Sequence, residues 1–95
     1  MNNREIAAVF NDIAYLLKCR KDNIFKIRAY QKVARSIEDL PLEVEQLVRE
    51  GKLKEIPGVG EAINKKITEL VNTGRLEYYE KLKAEIAEVG DEPPR

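Results

Sequence analysis

The sequence predicts an all-α domain, a compact bundle of four to five short helices. Three observations lead there: apolar residues recur at three- and four-residue spacing through most of the chain, cap and stop residues break that pattern at short intervals, and no stretch alternates in the two-residue period of a strand. With 95 residues and 43% hydrophobic content there is material for one core and none for a second. The expected organisation is a single domain over residues 1–89, with Gly90-Asp91-Glu92-Pro93-Pro94-Arg95 as a disordered tail.

The elements follow in order. Ile6, Val9, Phe10, Ile13, Leu16 and Leu17 share one helical face, so a first helix is predicted from Asn3 to Lys18, with Asn2 and Asn3 as caps. Asp22-Asn23 then offers a turn and an N-cap. A second helix starts near Ile24 and turns Ile27, Tyr30, Val33, Ala34 and Ile37 inward. Leu40-Pro41 ends it, because proline steers its predecessor away from the α region and readily opens the next helix. The third helix is predicted from Leu42 to Arg49, stopped by Gly51, with Val44, Leu47 and Val48 inward. Lys52 to Ile56 makes one short helical turn. Glu61 to Asn72 is helical through Ile63, Ile67, Leu70 and Val71, and Gly74 is its C-cap. A final helix from Leu76 to Val89 carries Leu76, Tyr79, Leu82 and Ile86.

Composition excludes several kinds of chemistry. A single cysteine, Cys19, rules out an internal disulfide and reads as a reduced, partly buried thiol; with no histidine there is no Cys/His zinc site and no imidazole base. Any catalysis rests on lysine, tyrosine or carboxylates. No apolar run approaches the roughly 20 residues of a membrane span, and no charged-then-apolar leader opens the chain, so the expectation is a soluble cytoplasmic protein. The formal charge is zero, from 17 basic and 17 acidic residues, but the charges are not mixed. Residues 18–35 carry Lys18, Arg20, Lys21, Lys26, Arg28, Lys32 and Arg35 against Asp22 alone, and residues 51–75 are again mainly basic. Acidic segments follow each. If the fold brings the two basic segments together, one face can meet phosphates.

Ile56-Pro57-Gly58-Val59-Gly60 is the most informative stretch. Proline fixes φ, and the glycines allow a sharp reversal with no Cβ to hold a ligand away. The amides of Gly58, Gly60 and Glu61 would then lie at the start of the following helix, where unpaired N–H groups and the helix dipole favour a phosphate. Val59 would point back into the core. With Leu53-Lys54-Glu55 before it and Ala62-Ile63-Asn64-Lys65-Lys66-Ile67 after it, this stretch resembles a helix-hairpin-helix, a motif that holds DNA backbone without reading sequence.

A wider resemblance covers residues 4–83. Asn23-Ile24-Phe25-Lys26-Ile27-Arg28-Ala29-Tyr30, Lys54-Glu55-Ile56-Pro57-Gly58-Val59-Gly60, Ile63-Asn64-Lys65-Lys66-Ile67 and Thr73-Gly74-Arg75-Leu76 occur in the order found in the N-terminal lyase-type domain of family X DNA polymerases. The Phe-Lys-x-Arg-Ala-Tyr form and Tyr78-Tyr79-Glu80 look more like the bacterial or archaeal branch. The resemblance implies a DNA-repair module, cytoplasmic and nucleoid-associated, that binds gapped, nicked or 5′-phosphorylated DNA as a monomer and is normally linked to polymerase domains. It places Lys26, Tyr30, Lys54 and Lys66 in a phosphate or lyase pocket; Arg28, Gly58, Val59, Gly60, Glu61 and Lys65 complete the set of candidate DNA-binding residues. No cofactor is required, but a sodium or potassium ion on the backbone carbonyls of Lys54, Ile56 and Val59 is implied. Lys66 is the candidate catalytic residue, as Schiff-base nucleophile of a deoxyribose phosphate lyase. The chain departs from the family at Phe25, Ala62, Lys65 and Tyr78, where a histidine, a lysine, a glutamate and a lysine are expected.

Other residues admit two readings. Arg28, Lys32 and Arg35 form one helical stripe that either tracks a second strand or is a solvated face. Tyr30 either stacks on a base or belongs to the core with its hydroxyl at the surface. Lys65, with Glu61 and Glu69 four residues to either side, has the pairing of a solvated face. The alternatives to DNA binding are the lyase and a protein-interaction bundle in which the hairpin is only a turn.

Overall fold

A computed structural model describes residues 1–89 as five α-helices: α1 (Asn3–Cys19), α2 (Ile24–Glu38), α3 (Val44–Glu50), α4 (Glu61–Thr73) and α5 (Glu77–Val89), with a 3-10 turn at Leu53–Glu55. There is no strand among the described residues. The predicted tail lies outside them.

Helix α1 starts at a capping box. Asn2 accepts from the Glu5 amide at 2.8 Å, and the Glu5 carboxylate accepts from the Asn2 amide at 3.1 Å. Asn3, expected as a cap, instead reaches across to the chain before α3. Its amide donates to the Leu42 carbonyl at 2.7 Å and accepts from the Val44 N–H at 2.8 Å. This contact explains why α3 begins at Val44 and not at the predicted Leu42. The first amide of α3 is satisfied from α1, and Glu43, in extended backbone, makes no cap of its own. At the other end of α1, the Asp22 N–H bonds to the Leu17 carbonyl at 2.9 Å and the Lys21 N–H to that of Lys18 at 2.9 Å. This closure places Lys21 at φ +59, a left-handed position usually filled by glycine. The next turn is set by Asn23, whose side chain accepts from Phe25 N–H at 2.8 Å to cap α2.

The core is continuous. Ile6, Phe10, Ile13 and Leu17 of α1 meet Val33 and Ile37 of α2, joined by Val44, Ile56, Ile67, Leu76 and Leu82, and no polar side chain is buried among the described residues apart from the tyrosine of the aromatic stack described below. Helix α1 lies along α2 and also carries α5, while α4 rests on α3 and the 3-10 turn. Leu76 is buried but just outside α5, which starts one residue later than predicted because the Glu69 carboxylate accepts the Glu77 N–H at 2.8 Å. Arg20 ties the α1–α2 loop to α5, reaching Asp22 and, at 2.9 Å, Glu85.

Candidate nucleic-acid interface

The hairpin is a tight turn anchored at both ends in the core. Ile56 and Val59 are 2% and 8% exposed, whereas Pro57, Gly58 and Gly60 between and after them are exposed. The Val59 N–H closes on the Ile56 carbonyl at 3.1 Å, and Gly58 has φ +90, the type II pattern that wants glycine at its third position. A Cβ on Gly58 would lie 3.4 Å from the Lys32 stem and 3.5 Å from Val33, so the turn sits directly on the middle of α2. Gly60 differs, with φ at −91, and a Cβ there would meet nothing within 4 Å. Gly60 caps α4 without any side-chain hydrogen bond, which leaves the first amides of α4 open to a ligand.

Beside the hairpin a second feature forms from three elements. The Lys66 ammonium of α4 stands 4.7 Å from the centroid of the Tyr78 ring of α5, and Lys26 of α2 approaches the same ring at 5.7 Å. Tyr78 stacks on Tyr30 at 6.2 Å, and Tyr30 on Phe10 at 6.0 Å, so an aromatic column rises from the core to the two amines. The electron-rich ring faces attract both cations. Neither lysine pairs with a carboxylate among the described residues. The two acids that line the adjoining hollow of about 470 Å³ are engaged elsewhere, Glu69 on Glu77 and Glu61 with Lys65 at 3.8 Å. Two like charges drawn onto one ring, with no carboxylate bonded to either, are suited to receive an anion.

The two basic segments of the sequence thus meet through α2, the hairpin and α4. Lys54 is exposed on the 3-10 turn and unpaired with any described residue, and Arg28 is exposed on a different stripe of α2 from Lys26. Lys65 points with Glu61 into solvent, as its spacing predicts. Val59 contributes backbone only.

The structure corrects the base-stacking reading of Tyr30. At 5% exposure, with Phe10 and Tyr78 stacked on it, this residue offers no face to a base and belongs to the core. Burial and the neighbouring Tyr78 push the Tyr30 phenol well above its ordinary range. The sequence marks Tyr78 as a departure from the lysine that the resemblance expects and as part of Tyr78-Tyr79-Glu80, yet in the structure it is the floor of the site. Nothing local signals this role: Tyr78 stands two residues after the buried Leu76, and only the packing of α5 into the bundle brings its ring beneath the amines.

Two helices joined by a glycine turn that presents backbone amides beside unpaired lysines define a nucleic-acid-binding class of domain. The chain belongs to the helix-hairpin-helix domain family, which it matches over residues 1–76. No curated protein matches it. No helix of the described residues is long and apolar enough to cross a membrane.

Proposed function

We propose that the chain binds DNA without sequence specificity at gaps, nicks or 5′-phosphates, as the N-terminal module of a family X DNA polymerase acting in repair. The observation that carries this reading is the convergence of Lys26 and Lys66 on Tyr78 beside the uncapped start of α4. The hairpin amides and Lys54 hold an internal phosphodiester, and the two converging amines take a terminal phosphate, whose second negative charge suits two cations. The carbonyls of Lys54 and Val59 accept no hydrogen bond from the described residues, and that of Ile56 accepts only Val59 N–H, which leaves them open to the sodium or potassium ion of this reading. Such an ion would add positive charge for the phosphodiester.

The test is a binding titration on gapped DNA with and without a 5′-phosphate. Wild type is expected to prefer the phosphorylated probe, and Lys26→Gln with Lys66→Gln is expected to abolish the preference while keeping salt-dependent binding. Equal affinity of wild type for the two probes would overturn the terminal-phosphate assignment, and no salt-dependent binding to either would favour a protein partner.

A second reading, deoxyribose phosphate lyase chemistry, is favoured by the Lys66 amine standing half-buried beside an open hollow and in no ion pair with a described residue. Lys66 would attack C1′ of a ring-opened abasic sugar and expel water to form an iminium. Loss of a C2′ proton to water would then drive out the 3′-phosphate, and hydrolysis of the remaining iminium would free Lys66 and release the unsaturated sugar. Borohydride trapping on abasic DNA tests it: an adduct lost in Lys66→Ala supports the reading, and no adduct ends it.

A further inference from the structure

The unpaired positive charge of the domain does not stop at the hairpin. Arg28, Lys32 and Arg35 are exposed on one stripe of α2, and none forms an ion pair with a described residue. Arg20, Lys52, Lys65, Lys81 and Lys83 each have a carboxylate within 4.0 Å, whereas Arg4, Lys18, Lys21, Arg49 and Arg75 are also outside any ion pair with a described residue but are spread over α1, α3 and two loops. The three cations of α2 are set apart by lining one shallow groove together, on the helix that supports the hairpin.

The stripe and the hairpin are physically continuous. The Lys32 stem lies against Gly58, so Lys32, flanked on the stripe by Arg28 and Arg35, joins the stripe to the turn. From Arg28 to Arg35 the helix advances about 10.5 Å, close to the axial rise of three nucleotide steps along one strand, roughly 3.4 Å each. Gln31 and Ser36 line the same shallow groove and supply neutral hydrogen-bonding groups, while Asp39 closes its C-terminal end, with Glu38 one turn from Arg35. Those acids set a limit to the track beyond Arg35.

We infer that the Arg28–Lys32–Arg35 stripe is a second phosphodiester-binding track that takes the DNA strand opposite the one held by the hairpin. The inference rests on the DNA-binding reading above and extends it from a one-strand grip to a two-strand one. Arg28 and Arg35 present planar guanidinium forks suited to phosphate oxygens, and the track reads charge spacing, not bases.

The experiment compares wild type with Arg28→Gln/Arg35→Gln on two probes over a salt series: a gapped duplex with a 5′-phosphate, and a 5′-phosphorylated single strand. Both positions are exposed, and a thermal melt of each protein confirms folding. On the duplex the variant is expected to show a log–log salt slope shallower by about 1.8 and tens-fold weaker binding at 0.1 M salt. On the single strand it is expected to match wild type. Arg28→Lys/Arg35→Lys is expected to restore most of the slope. An unchanged slope on the duplex, or equal losses on both probes, overturns the second track while the hairpin reading stands. Failure of wild type to bind either probe overturns the DNA reading itself.

Discussion

Gly60→Ala and Gly58→Ala perturb the same turn in opposite ways, and the difference can be worked from the backbone. At Gly58, φ +90 forces an alanine into left-handed space, at a cost of about 1–2 kcal/mol. Its Cβ would make only ordinary contacts with Lys32 and Val33, so strain dominates. For a domain of this size each kcal/mol moves Tm by roughly 4–8 °C, which gives a fall of about 5–15 °C. At Gly60, φ −91 suits alanine and the Cβ meets nothing within 4 Å. The expected stability loss is only about 0.5 kcal/mol, from a poorer N-cap. The new methyl instead occupies the space through which a phosphate would approach the amides of α4. Losing one such charge-assisted hydrogen bond costs about 1.5–3 kcal/mol, or roughly ten- to a hundredfold in affinity. Thermal melts and fluorescence anisotropy on gapped DNA, the latter at a temperature where all proteins are folded, measure the two effects. If Gly60→Ala binds within twofold of wild type with the same salt slope, the hairpin amides do not hold phosphate.

Three further outcomes follow from the same geometry. Lys21→Gly, relieving φ +59 at the end of α1, is expected to raise Tm by several degrees, for about 1 kcal/mol; a lower Tm would mean that the Lys21 side chain matters more than its backbone. The Arg20 hydrogen bond, then the Asn23 N–H, holds the Asp22 carboxyl below its ordinary range. Its contribution is present above the unfolded value, about 3.9, and is lost as pH falls through the folded one. Asp22→Asn should therefore flatten the decline of Tm below about pH 4, as read by melts across that range. Tyr79 donates its hydroxyl to Asp12 while Lys83 lies 4.2 Å over its ring, so Tyr79→Phe removes the hydrogen bond but keeps the ring contact. A loss of about 1–2 kcal/mol by chemical denaturation is expected, and no loss would mean that water replaces the phenol at Asp12.

Helix existence was legible because amphipathic spacing and caps are local. Glu61 to Asn72 is written in Ile63, Ile67, Leu70 and Gly74, and the observed helix ends one residue later, at Thr73. The start of α3 was not legible, since the amide that fixes it belongs to Asn3, 41 residues away. The left-handed Lys21 was hidden for a related reason: the closure of α1 overrides the preference of its residue type. At the site, Pro57-Gly58-Val59-Gly60 announced its turn and its inward valine, because proline and glycine act on their own backbone. The resemblance puts Lys26 and Lys66 in one pocket, but the ring on which they meet was not legible. Their meeting depends on α5 supplying Tyr78, and aromatic stacking between three helices leaves no local pattern.

The column of Phe10, Tyr30 and Tyr78 also means that the pair of amines has no existence independent of the fold. Its floor is contributed by α5, which begins after residue 76, where the family match ends. Local opening of that single helix would withdraw the floor while the hairpin stayed intact, and a bound phosphate would oppose the opening by mass action. Amide exchange in α5 should therefore slow when a 5′-phosphate is held, making the last helix a readout of what the first four have caught.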